Sequence, residues 1–99
     1  MYFASGSWTL TDNQRTFLKR VAHRIDDNGF TDVHLAGYTD SLGSVAYNMR
    51  LSHQRTSTVA ALLRQTTGLT SDQAWYGEKD PAASGASAAA NRRVEIYIS

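Results

Sequence analysis

The sequence predicts an α+β fold. It is a two-layer α/β sandwich in which two long helices pack on one face of a mixed sheet, in the order β-α-β-α-β-β. Three observations lead there. Two segments carry apolar residues at helical spacing, one stripe each. Two others, 31–38 and 92–99, alternate with period two. Helices with a single apolar stripe need a sheet to cover, and two layers are the simplest way to provide one.

The elements follow in order. Tyr2-Phe3 reads as a short opening strand, and Ser5-Gly6-Ser7 as a turn. Thr11-Asp12-Asn13-Gln14 fits a capping box, in which the Thr11 hydroxyl accepts from the backbone three residues on and Gln14 reaches back. Phe17, Leu18, Val21, Ala22 and Ile25 then recur at helical spacing among Lys19, Arg20, Arg24 and Asp26, and Asn28-Gly29 makes a left-handed stop. From Thr31 to Tyr38, Val33, Leu35 and Gly37 share one face of a strand, and His34, Ala36 and Tyr38 the other. Asp40, Ser41 and Gly43 break the pattern, so 39–44 reads as a loop. A second helix runs from about Val45 to Thr67, with Leu51, Val59, Leu62 and Leu63 in its buried stripe and Gly68 at its end. Gln73 to Glu78 reads as a third strand. Lys79 to Ala90 is rich in Ala, Ser and Gly and fits either a flexible loop or the start of a short helix. Arg92 to Ser99 closes the chain as a strand, with Val94, Ile96 and Ile98 on one side and Arg93, Glu95 and Tyr97 on the other.

Length and composition bound the function. The 99 residues suffice for one domain, 1–99, with no internal repeat and no linker. At 41% hydrophobic, the chain can build one core. A net charge of +1 gives no general reason to expect nucleic acid or an anionic membrane as partner. Without cysteine, disulfides and thiolate metal sites are excluded. No apolar run reaches the length of a membrane span, so direct membrane insertion by this domain is not expected. Met1-Tyr2-Phe3 leads straight into folded-looking sequence. Composition leaves open a cytosolic protein and an excised domain of a larger exported one.

The stretch from Leu35 to Arg55 carries the chemistry. It places the carboxylate of Asp40 in the loop after a strand and, fifteen residues later, the guanidinium of Arg55 about three turns along the next helix. A helix folding back over that strand end would let the two charges flank one pocket. Spacing alone does not establish it.

The run Gly37-Tyr38-Thr39-Asp40-Ser41, then Gly43-Ser44, Tyr47-Asn48, Leu51-Ser52, Arg55 and Val59, resembles the signature of the OmpA-like peptidoglycan-binding domain family. That family includes C-terminal domains of porin-like outer-membrane proteins, peptidoglycan-associated lipoproteins and flagellar stator proteins. Tyr2-Phe3-Ala4 resembles its opening strand, Gly77-Glu78-Lys79-Asp80-Pro81 its G-E-x-x-P turn, and Asn91-Arg92-Arg93-Val94-Glu95-Ile96 its last strand. The resemblance spans nearly the whole chain, in the family's order.

The resemblance implies a noncovalent ligand site for the peptidoglycan stem peptide at its meso-diaminopimelate residue, with no cofactor and no metal. Asp40 matches the family's aspartate and Arg55 its helix arginine. Diaminopimelate ends in an amino acid head bearing one ammonium and one carboxylate. Asp40 suits the ammonium. Arg55 can grip the carboxylate with two parallel hydrogen bonds, which lysine cannot reproduce. A lysine-type stem lacks that carboxylate and would leave Arg55 without its partner. Thr39 and Asn48 match positions that shape or line the pocket, although Thr39 could instead cap the loop and Asn48 tie loop to helix. Leu51 offers an apolar wall or ordinary core. Phe3 and Ala4 match a segment whose backbone amides approach the ligand. Asn91 and Arg93 match the family's N-R-R motif, with a structural tie at the start of the last strand as the other reading. The implied setting is the cell envelope, periplasmic or facing the cell wall, in a larger membrane-anchored parent protein.

Thr56 stands where the family prefers alanine. Between Pro81 and Asn91 the chain is shorter than the family loop and has Ser84 to Ala90 in place of its usual residues.

Three other classes were weighed. For an enzyme, no cysteine or G-x-S-x-G elbow is present, and His23, His34 and His53 lack metal spacing; no paired acid and base emerges, and catalysis is not expected. For a nucleic-acid module, Arg15, Lys19, Arg20 and Arg24 form at most a basic helix face, which solvation explains as well. For a protein-interaction module within an envelope complex, Trp8, Trp75 and Tyr97 are the candidate anchors, with core placement expected for Trp75.

Overall fold

The structure, a computed structural model, describes residues 1–85 and 88–99. Helix α1 spans Asp12–Asn28 and α2 spans Val45–Thr67. Strands β1 (Val33–Gly37), β2 (Asp72–Trp75) and β3 (Val94–Ile98) form one mixed sheet in the order β2-β1-β3. β1 is central. It runs parallel to β2, with Leu35 opposite Gln73, and antiparallel to β3, with Leu35 opposite Ile96. The parallel pair needs a crossover, and α2 supplies it.

The capping box forms at α1. The Gln14 amide donates to Thr11 Oγ1 at 3.2 Å and the Thr11 amide to Gln14 Oε1 at 2.8 Å. Gln14 Nε2 also donates to the Tyr2 carbonyl at 2.6 Å, tying the helix start to the first residues of the chain. Gly29 and Gly68 close the two helices in left-handed geometry. Leu18, Ala22 and Ile25 of α1 meet Val59, Ala60 and Leu63 of α2 over Val33, Leu35 and Val94, with Phe3 completing the core. Phe17 departs from the expected stripe. It is 44% exposed and borders a cleft of about 510 Å³ between α1 and β3, together with Val21, Phe30, Ile96 and Ile98.

The buried face of α2 changes character halfway along. Its second half is apolar, whereas its first half buries Asn48, Ser52, Arg55 and Thr56 beside Leu51. β1 passes very close to this polar half. A Cβ on Gly37 would lie 2.5 Å from the Ser52 carbonyl oxygen and 2.6 Å from Thr56 Cγ2, so only glycine fits there.

Three expectations are corrected. The opening strand is reduced to an isolated antiparallel bridge between Tyr2 and Arg93. The Ala4 carbonyl already turns back to accept from the Ser7 amide, and Gly6 has φ +65°, so extended geometry ends after Phe3. β2 stops at Trp75, one further rung being the Tyr76 amide to the Gly37 carbonyl, because Gly77 takes φ +62°. Trp75 is not core: it is 38% exposed and stacks on His53 with ring centroids 3.9 Å apart. The stretch 79–90 runs into a 3-10 turn at Ala89–Asn91, and Ala86 and Ser87 lie outside the described residues.

Candidate functional site

The central strand ends at Gly37 and delivers Tyr38, Thr39 and Asp40, all buried, to the end of the sheet nearest the polar half of α2. The Thr39 amide donates to the Gly77 carbonyl at 2.7 Å, and its hydroxyl to the Asp40 carbonyl at 2.8 Å. Thr39 is therefore part of the loop's own wiring. Gly77 is itself held by Ser52 Oγ, which accepts from its amide at 3.0 Å.

Asp40 is 5% exposed. Its Oδ1 accepts from the Leu42 amide at 3.3 Å, and its Oδ2 from Arg92 Nη1 at 3.3 Å. Arg92 also donates from Nε to the Phe3 carbonyl at 2.9 Å. One guanidinium thus joins the loop after β1 to the N-terminal segment.

Arg55 has no exposed surface. Three of its five N–H groups are spent on backbone carbonyls: Nε on Ser7 at 2.8 Å, Nη1 on Tyr38 at 3.1 Å and Nη2 on Ala4 at 3.1 Å. The Phe3 ring lies 5.2 Å from the guanidinium carbon. No acid stands within ion-pair distance of Arg55 among the described residues, although Asp40 stabilises its charge through space. Burial pulls Arg55 below the ordinary guanidinium value, down to about 10, Asp40 opposes that shift and Arg92 adds to it, so the group stays cationic at neutral pH. The pair at this site is therefore Asp40 with Arg92. Arg55 sits behind it as a buried charge wrapped in carbonyl oxygens.

Asn48 and Leu51 lie on the same face of α2 as Arg55 and are 1% and 3% exposed. Asn48 Nδ2 donates to Glu78 Oε1 at 3.5 Å, and its buried Oδ1 has no hydrogen-bond partner among the described residues. Since Glu78 only accepts, it orients that amide with the oxygen turned away. Tyr47 stands at the rim, its ring 3.1 Å from where a Cβ on Gly43 would lie and its hydroxyl 3.5 Å from one on Gly6.

The structure gathers Asp40, Arg55, Thr39, Asn48, Leu51, Phe3 and Ala4 at one end of the sheet. Asn91 and Arg93 have other engagements. The Asn91 side chain accepts from the Ala83 amide at 2.9 Å and donates to the Ala83 carbonyl at 2.8 Å, bracing the loop before β3. Arg93 lies 3.8 Å from the Tyr38 ring centroid and donates to Glu95 at 2.8 Å and to the Asp80 carbonyl at 3.0 Å. Arg92 and Glu78 are the neighbours that the sequence reading did not single out. The signal for Arg92 was available: consecutive residues entering a strand point to opposite faces, so only one arginine of the N-R-R motif can reach the Asp40 loop.

Among the described residues, no group of three or more His, Cys, Asp or Glu side chains is placed to hold a metal ion. No helix is long and apolar enough to cross a membrane.

Comparison with known proteins gives several matches to outer-membrane proteins and lipoproteins. The chain is 40% identical over 103 residues to the probable lipoprotein YiaD of Escherichia coli, covering 98% of this chain and 47% of that protein. It is 36% identical over 100 residues to the peptidoglycan-associated lipoprotein of Legionella pneumophila, covering 95% of this chain and 56% of that one. The chain thus spans about half the length of these two relatives. The crystal structure of the peptidoglycan-associated lipoprotein from Burkholderia pseudomallei superposes with a TM-score of 0.85 at 26% identity, covering 99% of this chain and 87% of that one. Residues 2–95 match the model of the OmpA family, and the chain belongs to that family.

Proposed function

We propose that this domain binds peptidoglycan without covalent chemistry, gripping the diaminopimelate residue of the stem peptide, and so holds a larger cell-envelope protein to the wall. The observation that carries this reading is the convergence of Asp40 and Arg55, two buried and opposite charges, at the end of the central strand. Burial matters here: a charge held in a dry, prewired site recognises a partner more strongly than one on an exposed chain. Asp40 serves the ligand's ammonium, and the guanidinium of Arg55 serves its carboxylate. Asn48 Oδ1 adds a second acceptor at the ammonium end. Thr39 and Leu51 shape the floor, and Phe3 and Ala4 form the wall behind Arg55. The names of two matched proteins associate them with peptidoglycan and so support the ligand class.

A site with one charge for each end of a small zwitterion has modest affinity, on the order of micromolar to sub-millimolar. Holding power then comes from many domains on a polymer with many stems. The test is titration with a diaminopimelate-containing stem peptide and with its lysine counterpart. The first binds and the second binds at least tenfold more weakly. Asp40→Ala and Arg55→Ala each abolish the preference. Equal binding by both variants and the unmodified domain would show that the site lies elsewhere.

A further inference from the structure

The geometry points to a gate over Arg55: residues Ala4 to Ser7 form a strap whose carbonyl oxygens hold the guanidinium and must release it for a carboxylate to bind. The inference rests on the reading of Arg55 as the carboxylate-binding residue.

Arg55 has no exposed surface, so no ligand atom reaches it with the strap as it lies. Of its three carbonyl partners, Tyr38 belongs to the well-anchored end of the central strand, while Ala4 and Ser7 belong to the strap. The strap is tied at both ends and lightly held between. Upstream, the Phe3 amide donates to the Arg92 carbonyl at 2.8 Å, and the Phe3 carbonyl accepts from Arg92 Nε. Downstream, Thr11 is locked in the capping box of α1. Between these ties, Ser5, Gly6, Trp8 and Thr9 are exposed. Gly6 has φ +65°, a backbone state that L side chains rarely adopt. The Tyr47 ring bridges from Gly6 to Gly43 of the facing loop, so the strap's outward swing opens a route between them.

The exchange is chemically balanced in the ligand's favour. A carboxylate makes a shorter and stronger charge-assisted bond with a guanidinium than a neutral carbonyl does. The two strap carbonyls left behind turn to water. A stem lacking the carboxylate has nothing to displace them with, so the gate adds to selectivity as well as lowering apparent affinity by the fraction of time it is shut.

Two chemically opposite changes at Gly6 test this. Gly6→Ala disfavours the closed strap, and D-alanine at position 6, introduced by chemical synthesis, favours it. The expected result is stem-peptide binding roughly 3- to 10-fold tighter for Gly6→Ala and weaker by a similar factor for the D-residue. In the absence of peptide, solvent exchange of the Arg55 Nε–H by NMR should quicken in the first and slow in the second. Affinities within about twofold of the unmodified domain, with unchanged exchange, would overturn the gate. If Asp40→Ala and Arg55→Ala still abolish binding in that case, the site itself stands. If Arg55→Ala binds normally, the site reading fails, and the gate fails with it.

Discussion

Asp40 makes its ion pair with Arg92, at 3.3 Å, across the gap between the loop after β1 and the start of β3. Both side chains are largely shielded, at 7% and 18% exposure, so the pair is more than a surface decoration. Removing one member strands the other. Arg92→Met is expected to cost roughly 2–4 kcal/mol in urea unfolding. Adding Asp40→Asn to it should recover part of that loss, because the stranded charge is gone. A double variant no more stable than Arg92→Met alone would contradict the coupling.

Arg55 supplies three carbonyls with donors, and its planar fork cannot be mimicked by an ammonium. Arg55→Lys should lower stability by about 1–3 kcal/mol, and Arg55→Leu by more, since it orphans the Ala4, Ser7 and Tyr38 carbonyls together. The sign of the pH effect follows from burial, which brings the folded value down to about 10, below that of the unfolded chain. The unfolded chain therefore holds this proton more tightly, and stability from this group rises only above pH 10. Between about pH 6 and 9 the two forms bind it equally. Comparison of Arg55→Leu, which has no group to titrate, with the unmodified protein by thermal unfolding across that range should give parallel curves.

Gly37 marks the closest approach of β1 to α2. Gly37→Ala should destabilise by roughly 1–3 kcal/mol, since the new methyl meets the Ser52 carbonyl oxygen as well as Thr56 Cγ2. Thr56→Ala in the same chain removes only the second clash. It should restore part of the loss and no more, measured as a shift in the urea midpoint.

Glu95 is held below the ordinary carboxylate range, first by the hydrogen bond from the Tyr97 hydroxyl and then by that from Arg93. A depressed folded value means stability that is present above the ordinary carboxylate value of about 4.5 and is lost as pH falls through the folded one. Glu95→Gln should therefore cost about 0.5–1 kcal/mol near neutrality and reduce the acid sensitivity of the melting temperature below about pH 4.5. An unchanged acid limb would assign it to other carboxylates.

Both helices, the central strand and the last strand were legible because each follows one period with clear stops: Thr11 and Gly29 for α1, Gly68 for α2. Tyr2-Phe3 was overread as a strand because β propensity says nothing about where the chain must turn, and Gly6 turns it at once. Trp75 was placed in the core on size alone, yet it sits at the end of an edge strand with a histidine to stack on. Asp40 and Arg55 were singled out by their motif, and the structure brings them to one end of the sheet. Their wiring was not, because hydrogen bonds to the carbonyls of Ala4, Ser7 and Tyr38 leave no mark on side-chain identity. Arg92 was half legible: alternation lets one arginine of the N-R-R motif reach the Asp40 loop, but its partner lies fifty-two residues away and only the sheet order brings the two together.

The N-terminal segment is tied by Met1 to Val94, by Tyr2 to Gln14, by Phe3 to Arg92, and by Ala4 and Ser7 to Arg55. In mechanical terms this is a short load path. Tension applied along the first residues, with a stem peptide held at Asp40, would run through these few bonds and the Tyr2–Arg93 bridge. Phe3, which completes the apolar core, lies on the same path. Under the proposed function, such a pull would reach Arg55, the residue that receives the stem carboxylate, through the Ala4 and Ser7 carbonyls.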